Sequence, residues 1–432
     1  TGTQTHDQAS TGSDFGTSAA AAHVSAAAAI LASRNASLTP DQAYQQLTGN
    51  EFSKAFANDT CDPANPDYSC GTGILSLARI ASTTCTENET RVGSQKVVSF
   101  TTPDEGSSCD ATWTVPAGVT EVDYLIVAGG GGGARGSGGG AGGVLRSWKT
   151  GTDPLTVTPG AVLDIQVGRG GTGGVSNDTD PGGNGDPSSL GALLADGGGG
   201  GGNQSADGQN GGSGGGAGPL DSDFPGFPTE KGEGFAGGFG ENVGDSKGGG
   251  GGGGASGAGG RASANPGSAT GGAGGPGITS DITGSDEGYA GGGSGSSDSG
   301  QPGTSSDGGG KGADGSNNGS NGVAGTGGGG GGSNANNDGE PGTSNAYRGG
   351  DGGSGIVILR FDAPPPPASF AVTAANGSAL GTQTAGQPFN IKVVAQDSEG
   401  QTVTSFQGTV DISSANTTIS SGDGTTANFT NG

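Results

Sequence analysis

Ser18 is the residue in this chain best placed to do covalent chemistry. It ends the small, flexible run Asp14-Phe15-Gly16-Thr17 and is followed at once by Ala19-Ala20-Ala21-Ala22-His23-Val24. The pattern predicts a turn and then a buried helix from Ser18 to Ser33, apolar on nearly every side. The serine Oγ then stands at a helix N-terminus, where unpaired backbone N–H groups can also meet an anion. A serine hydroxyl becomes a useful nucleophile only when a neighbouring base takes its proton and a third group orients that base. The chain has two histidines, His6 and His23. His23 follows Ser18 by five residues, and at about 100° per residue it lies well round the helix, so it reads as a structural histidine. An ordinary capping serine on a buried helix is the competing reading of Ser18.

Other chemistries find less support. G-x-G-x-x-G recurs by chance in so much glycine, but no G-x-x-x-x-G-K-[ST] is present, and Lys311 is followed by Gly312. Nucleotide binding is therefore not expected. Gly182-Gly183-Asn184-Gly185-Asp186 approaches a calcium-binding nonapeptide, but its aspartate comes one place early and the repeat does not continue. Structural calcium stays open, and no other cofactor is expected. The four cysteines, Cys61, Cys70, Cys85 and Cys109, lack zinc spacing and lie among polar, turn-like residues. They allow three pairings. Cys61–Cys70 with Cys85–Cys109 is the simplest, and disulfides point to an oxidising, extracellular compartment.

The elements that must position these groups come from a chain of 432 residues, 104 of them glycine, with 28% hydrophobic and 5% aromatic residues. So little apolar content cannot build several ordinary cores. A formal charge of −25 argues against nucleic acid and anionic membrane surfaces as partners. No apolar run is long enough to span a bilayer. The chain has no methionine, opens inside a motif and stops within a strand-like pattern, so a piece of a longer protein is expected.

Residues 1–82 read as helix-rich. After the serine helix, Leu38-Thr39-Pro40-Asp41-Gln42 starts a second helix, with Thr39 as cap and Pro40 in its first position. Cys70-Gly71-Thr72-Gly73-Ile74-Leu75 then reads as a turn into a closing helix. Taken in order, these parts resemble the end of a subtilisin-like serine peptidase domain, whose nucleophile motif reads G-T-S-x-[AS]-x-P-H-V. Gly16, Thr17, Ser18, Ala20, His23 and Val24 match it, and Ala22 stands where that family has proline. The resemblance implies an α/β fold of which this is the C-terminal part. It makes Ser18 the nucleophile, with its own N–H helping to form the oxyanion hole. The family's catalytic Asp and His and its oxyanion Asn precede this point in chain order, so this piece alone is expected to be inactive.

Residues 83–96 read as a linker, and residues 97–362 as a different object. Runs at Val97–Phe100, Trp113–Val115, Val122–Val127, Val144-Leu145, Leu155–Val157 and Leu163–Val167 read as strands, and Ile356–Phe361 as a last one. Long glycine tracts fill the space between. Glycine lets backbones pack side by side, so tracts in an extended three-per-turn helix can bond to neighbouring tracts. The opening "W-x-V-P-x-G-V" at Trp113–Val119, "VAGGGGG" at Val127–Gly133 and closing "GGSGIVI" at Gly352–Ile358 resemble the bacterial glycine-rich domain. That family is similar to glycine-rich regions of some receptor kinases and phage tail adhesins. The resemblance implies a β-scaffolded bundle of polyglycine II helices. Within it, Phe224, Phe227, Phe235 and Phe239 read either as a recognition loop at a bundle tip or as plugs of a small core.

Pro364–Pro367 lies in a stiff spacer over 363–368. Alternation at Phe370-Val372, Phe389–Val393, Val403–Phe406 and Val410–Ile412 then resembles a bacterial immunoglobulin-like module over 369–432, a partial all-β sandwich. Together the parts suggest a secreted or cell-surface serine endopeptidase acting on peptide or protein substrates. Its glycine-rich region would target a cell-surface or glycan partner. An extracellular adhesin or structural surface protein without peptidase activity is the alternative.

Overall fold

The computed structural model describes residues 53–54, 74–75 and 83–429, apart from 105, 151, 176–179, 204–205, 220–223, 230–232, 300, 315–316, 336–346, 364–366, 385–386, 388, 405, 407, 413–425 and 427. Among the described residues there is no α-helix, and the strands form several small open sheets. Ser18, His6, His23, Cys61, Cys70, the predicted helix over 18–33 and the start of the second at Thr39 lie outside the described residues. Ile74-Leu75, expected to enter a helix, instead form a short strand antiparallel to Ser53–Lys54.

Two sheets make the scaffold. The larger has the order Thr86–Val92, Gln95–Thr101, Ile356–Asp362, Glu121–Val127, Val144–Arg146, with Leu155–Thr156 pairing at the far end of Glu121–Val127. The smaller has the order Leu193–Ala195, Ser188–Leu190, Val162–Val167, Cys109–Thr114, Thr83–Thr84. The segment 83–96 is thus not a linker. Thr86–Val92 is a polar edge strand that pairs residue for residue with Gln95–Thr101 around a turn at Gly93, where φ is +64°. Its sequence, TENETRV, shows no apolar alternation because nearly all of its side chains are exposed.

Between the sheets lies a core of Val98, Phe100, Trp113, Ile126, Ile165, Leu190, Val357 and Leu359, with the Trp113 and Phe361 rings 5.3 Å apart. The larger sheet is buried on its other face as well, through Val97, Leu125, Val127, Ile356 and Ile358. Burial on both faces explains why Ile356-Val357-Ile358-Leu359 is a continuous apolar run rather than an alternating one. Ile278, Ile282 and Tyr289, around the hairpin of Ile278–Ser280 with Glu287–Tyr289, cover that second face. Arg360, almost buried, fastens the hairpin. Its guanidinium stacks 4.0 Å over the Trp148 ring, and its Nη1 donates to the carbonyls of Asp281 (3.2 Å) and Ile282 (3.1 Å).

The glycine tracts grow from this sheet. Ile356 pairs with Val127, and beyond that pair Gly130 N–H donates to Gly353 O and Gly133 N–H to Gly350 O in the same antiparallel register. The bonds now recur every third residue, because the residues between them turn to other neighbours. Gly129 and Gly132 donate to Asp186 and Gly183, and Gly131 and Ala134 to Gly140 and Ser137. In the tract 138–143, Gly138 and Ala141 donate to Gly250 and Gly253, Gly139 and Gly142 to Gly330 and Gly327, and Gly140 and Gly143 to Gly199 and Asp196. Carbonyls of the same tract accept from Gly216 and Ser213, from Gly293, and from Gly131 and Ala128. This tract thus bonds to six neighbours, three as donor and three as acceptor. The period is that of the three-per-turn helix expected from the composition. It also satisfies the buried backbone groups without a sheet.

The C-terminal part is less regular than expected. Ser369–Ala374 pairs with Ile391–Gln396, and Phe370, Phe406 and Phe429 cluster edge to face. Val403 and Phe406 do not sit on a strand. They are joined by a turn, with Phe406 N–H donating to Val403 O.

Candidate functional site

The expected disulfide between Cys85 and Cys109 is present, with Cα atoms 4.9 Å apart. Cys85 is where the chain passes from the smaller sheet to the larger, and Cys109 opens a strand of the smaller sheet, so the bond ties the two sheets at their seam. The near-calcium segment is engaged within the protein. Asp186 Oδ2 accepts from Arg169 Nε at 3.0 Å and Ser108 Oγ at 2.7 Å, and Asn184 Oδ1 accepts the Gly200 N–H at 2.8 Å. Among the described residues no group of three or more His, Cys, Asp or Glu could hold a metal ion. Lys311 Nζ lies 3.7 Å from Asp314 Oδ2.

The array has a rim, and there a repeated side-chain device replaces glycine. Asp207 Oδ1 accepts the Phe224 N–H at 2.8 Å, and the next residue, Gly208, donates its N–H to the Phe224 carbonyl at 2.8 Å. Asn210-Gly211 grips Phe227 in the same way, Asn318-Gly319 grips Arg348, and Asn321-Gly322 grips Asp351. Each Asx-Gly pair therefore holds both backbone polar groups of one residue on the neighbouring tract. The clamps repeat every third residue, as Asp207-Gly208-Gln209-Asn210-Gly211 and Asn318-Gly319-Ser320-Asn321-Gly322. Sequence reading missed them because Asn-Gly and Asp-Gly normally mark hairpin turns. None of these four glycines has a positive φ, and the signal that could have found them is the spacing of three, matched to the array.

The phenylalanines decide between the two expectations made for them. Phe224, Phe227, Phe235 and Phe239 are 59%, 55%, 46% and 42% exposed, so they do not plug a core. The Phe224 and Phe239 rings meet edge-on at 6.4 Å, and the Arg261 guanidinium lies 6.0 Å from the Phe239 ring centre.

A second polar group lies where the hairpin meets the sheet. Asp281 accepts from Trp148 Nε1 at 2.8 Å and from Lys149 Nζ. The Lys149 and Trp148 hydrogen bonds hold its carboxyl below the usual range. Burial, and then the neighbouring Glu287, push the Tyr289 phenol well above its ordinary value. Burial alone raises that of Tyr124. The Asp281 contacts tie the hairpin end to Trp148 and Lys149. No helix of the described residues is long and apolar enough to cross a membrane.

Comparison with known families agrees with two of the three parts of the sequence reading, and no family model matches the immunoglobulin-like part. Residues 1–73 match the model of the subtilase family, a stretch that contains Ser18. Residues 102–362 match the model of the glycine-rich domain. No curated protein matches the chain. The second match spans more than half of the chain and coincides with the strand-framed array, and on that ground the chain belongs to the glycine-rich domain family.

Proposed function

We propose that this chain is part of a secreted subtilisin-like serine endopeptidase, with Ser18 as nucleophile and its own N–H as one oxyanion donor. The observation that carries the reading is the subtilase match over residues 1–73, which contains the Gly16-Thr17-Ser18 turn. The catalytic base, its orienting carboxylate and the second oxyanion donor are to be supplied by subtilase sequence outside this chain. Cys61–Cys70 is the second disulfide of the reading. Residues 97–362, a bundle of polyglycine II helices on a β scaffold, then act as a rigid targeting module, followed by the spacer over 363–368 and a partial immunoglobulin-like module over 369–432. The Cys85–Cys109 bond supports the extracellular setting.

An active-site-directed serine phosphonate should label Ser18 in the full-length protein, and Ser18→Ala should abolish the label. Labelling that survives Ser18→Ala, or none in a properly folded protein, counts against the peptidase. It would then favour an extracellular adhesin or structural surface protein, a reading to which the exposed phenylalanines lend support.

A further inference from the structure

Two stretches of the rim are built alike and differ in what they display. At the Asn318–Asn321 clamps the gripped residues carry on the fold. Arg348 Nη2 donates to the Gly173 carbonyl at 3.1 Å, and Asp351 Oδ1 accepts the Gly173 N–H at 2.6 Å. At the Asp207–Asn210 clamps the gripped residues are Phe224 and Phe227, whose rings stand more than half exposed. The clamps hold backbone atoms and would hold any side chain, so the fold does not require phenyl rings there. Three residues apart on an extended tract, the two rings point to the same side. The neighbouring tract, joined by Gly237 N–H to Gly226 O, adds Phe235 and Phe239. The Phe224 and Phe239 rings meet across the two tracts, with Phe227 exposed beside them, and exposed aromatic surface of this kind marks an interaction site.

Charge narrows the partner. With a formal charge of −25, the chain repels anionic ligands and a second copy of itself. Phenyl faces attract cations, and this surface already holds one. Arg261 lies by the Phe239 ring with its Nε on Glu241 Oε2. We propose that the Phe224/Phe227/Phe239 face docks a basic polypeptide segment, placing arginine or lysine side chains over the free ring faces. The proposal is independent of the role of Ser18.

The test is calorimetric titration of the full chain with a capped peptide of alternating glycine and arginine, and with the same peptide carrying neutral citrulline for arginine. The arginine peptide is expected to bind, and the citrulline peptide at least tenfold more weakly. Phe224→Ala with Phe227→Ala should weaken arginine-peptide binding at least tenfold with the melting temperature unchanged, since the clamps use main-chain atoms. Phe224→Leu with Phe227→Leu, which keeps apolar volume and removes the rings, should give the same loss. No binding overturns the proposal outright, and equal binding by the Leu variant overturns it in favour of bulk charge. Equal binding of the citrulline peptide overturns it in favour of apolar docking. A neutral oligosaccharide that binds in place of the arginine peptide, and whose binding the Leu substitutions abolish, overturns it too. So does a self-association of the chain that the same substitutions abolish.

Discussion

Gly139→Ala is expected to unfold the glycine array. A Cβ on Gly139 would lie 2.1 Å from the Gly131 carbonyl oxygen, far inside contact distance. The crowding atom belongs to a backbone, so no flexible side chain can swing away. The tract is also fixed on its other sides, with Gly139 N–H donating to Gly330 O at 2.8 Å and Gly139 O accepting from Gly293 at 2.9 Å. Relief requires moving whole tracts apart, which breaks their hydrogen bonds in a buried setting. The cost should exceed about 4 kcal/mol, the range of severe single substitutions, against a total stability of about 5–15 kcal/mol for an ordinary domain. Gly381→Ala is the control, because a Cβ there meets nothing within 4 Å. Thermal melts should show Gly381→Ala at the parent temperature and Gly139→Ala without the array's transition. An unchanged melt for Gly139→Ala would mean that the tracts are not in contact.

Removing the Cys85–Cys109 bond should have the second largest effect. It closes a loop with a sequence separation of 24 and joins the two sheets where the chain crosses between them. Cross-links over loops of this length contribute about 3 kcal/mol, mainly by restricting the unfolded chain. Both cysteines are buried in the core shared by the sheets. Cys85→Ala with Cys109→Ala should therefore lower the melting temperature by several degrees, and added dithiothreitol should lower the parent's but not the variant's. Equal melts with and without reductant would contradict this.

The scaffold was legible because its strands bury apolar side chains. Val97–Phe100, Val122–Val127 and Ile356–Phe361 announce themselves by hydrophobic runs, and each becomes a strand of the larger sheet. The three-residue period was legible from composition alone, since only glycine allows backbones so close. Thr86–Val92 was not, because an exposed edge strand is held by main-chain bonds that leave no apolar pattern. The clamps at Asp207, Asn210, Asn318 and Asn321 were hidden for a related reason. Their partners lie 17 or 30 residues away, and local turn chemistry suggests another use for the same dipeptides. Phe224 and Phe227 were ambiguous because aromatic residues plug cores as readily as they mark surfaces, and only their exposure decides. Of the proposed peptidase site, Ser18 is read from its turn and its neighbours, and the groups proposed to activate it are not among the residues of this sequence.

Residues 97–362 hold glycine backbones in a packed array in which a tract donates to three neighbours and accepts from three others. Amide hydrogen exchange on the intact chain tests this most directly. Gly131, Gly139, Gly140 and Gly330 each donate to a carbonyl of another tract, and their amides should exchange at least about a thousandfold more slowly than in an unstructured chain, as stably folded cores do. Exchange of these glycines at unstructured rates, with Val98 and Leu359 still protected, would contradict the packed array and leave only the β scaffold standing.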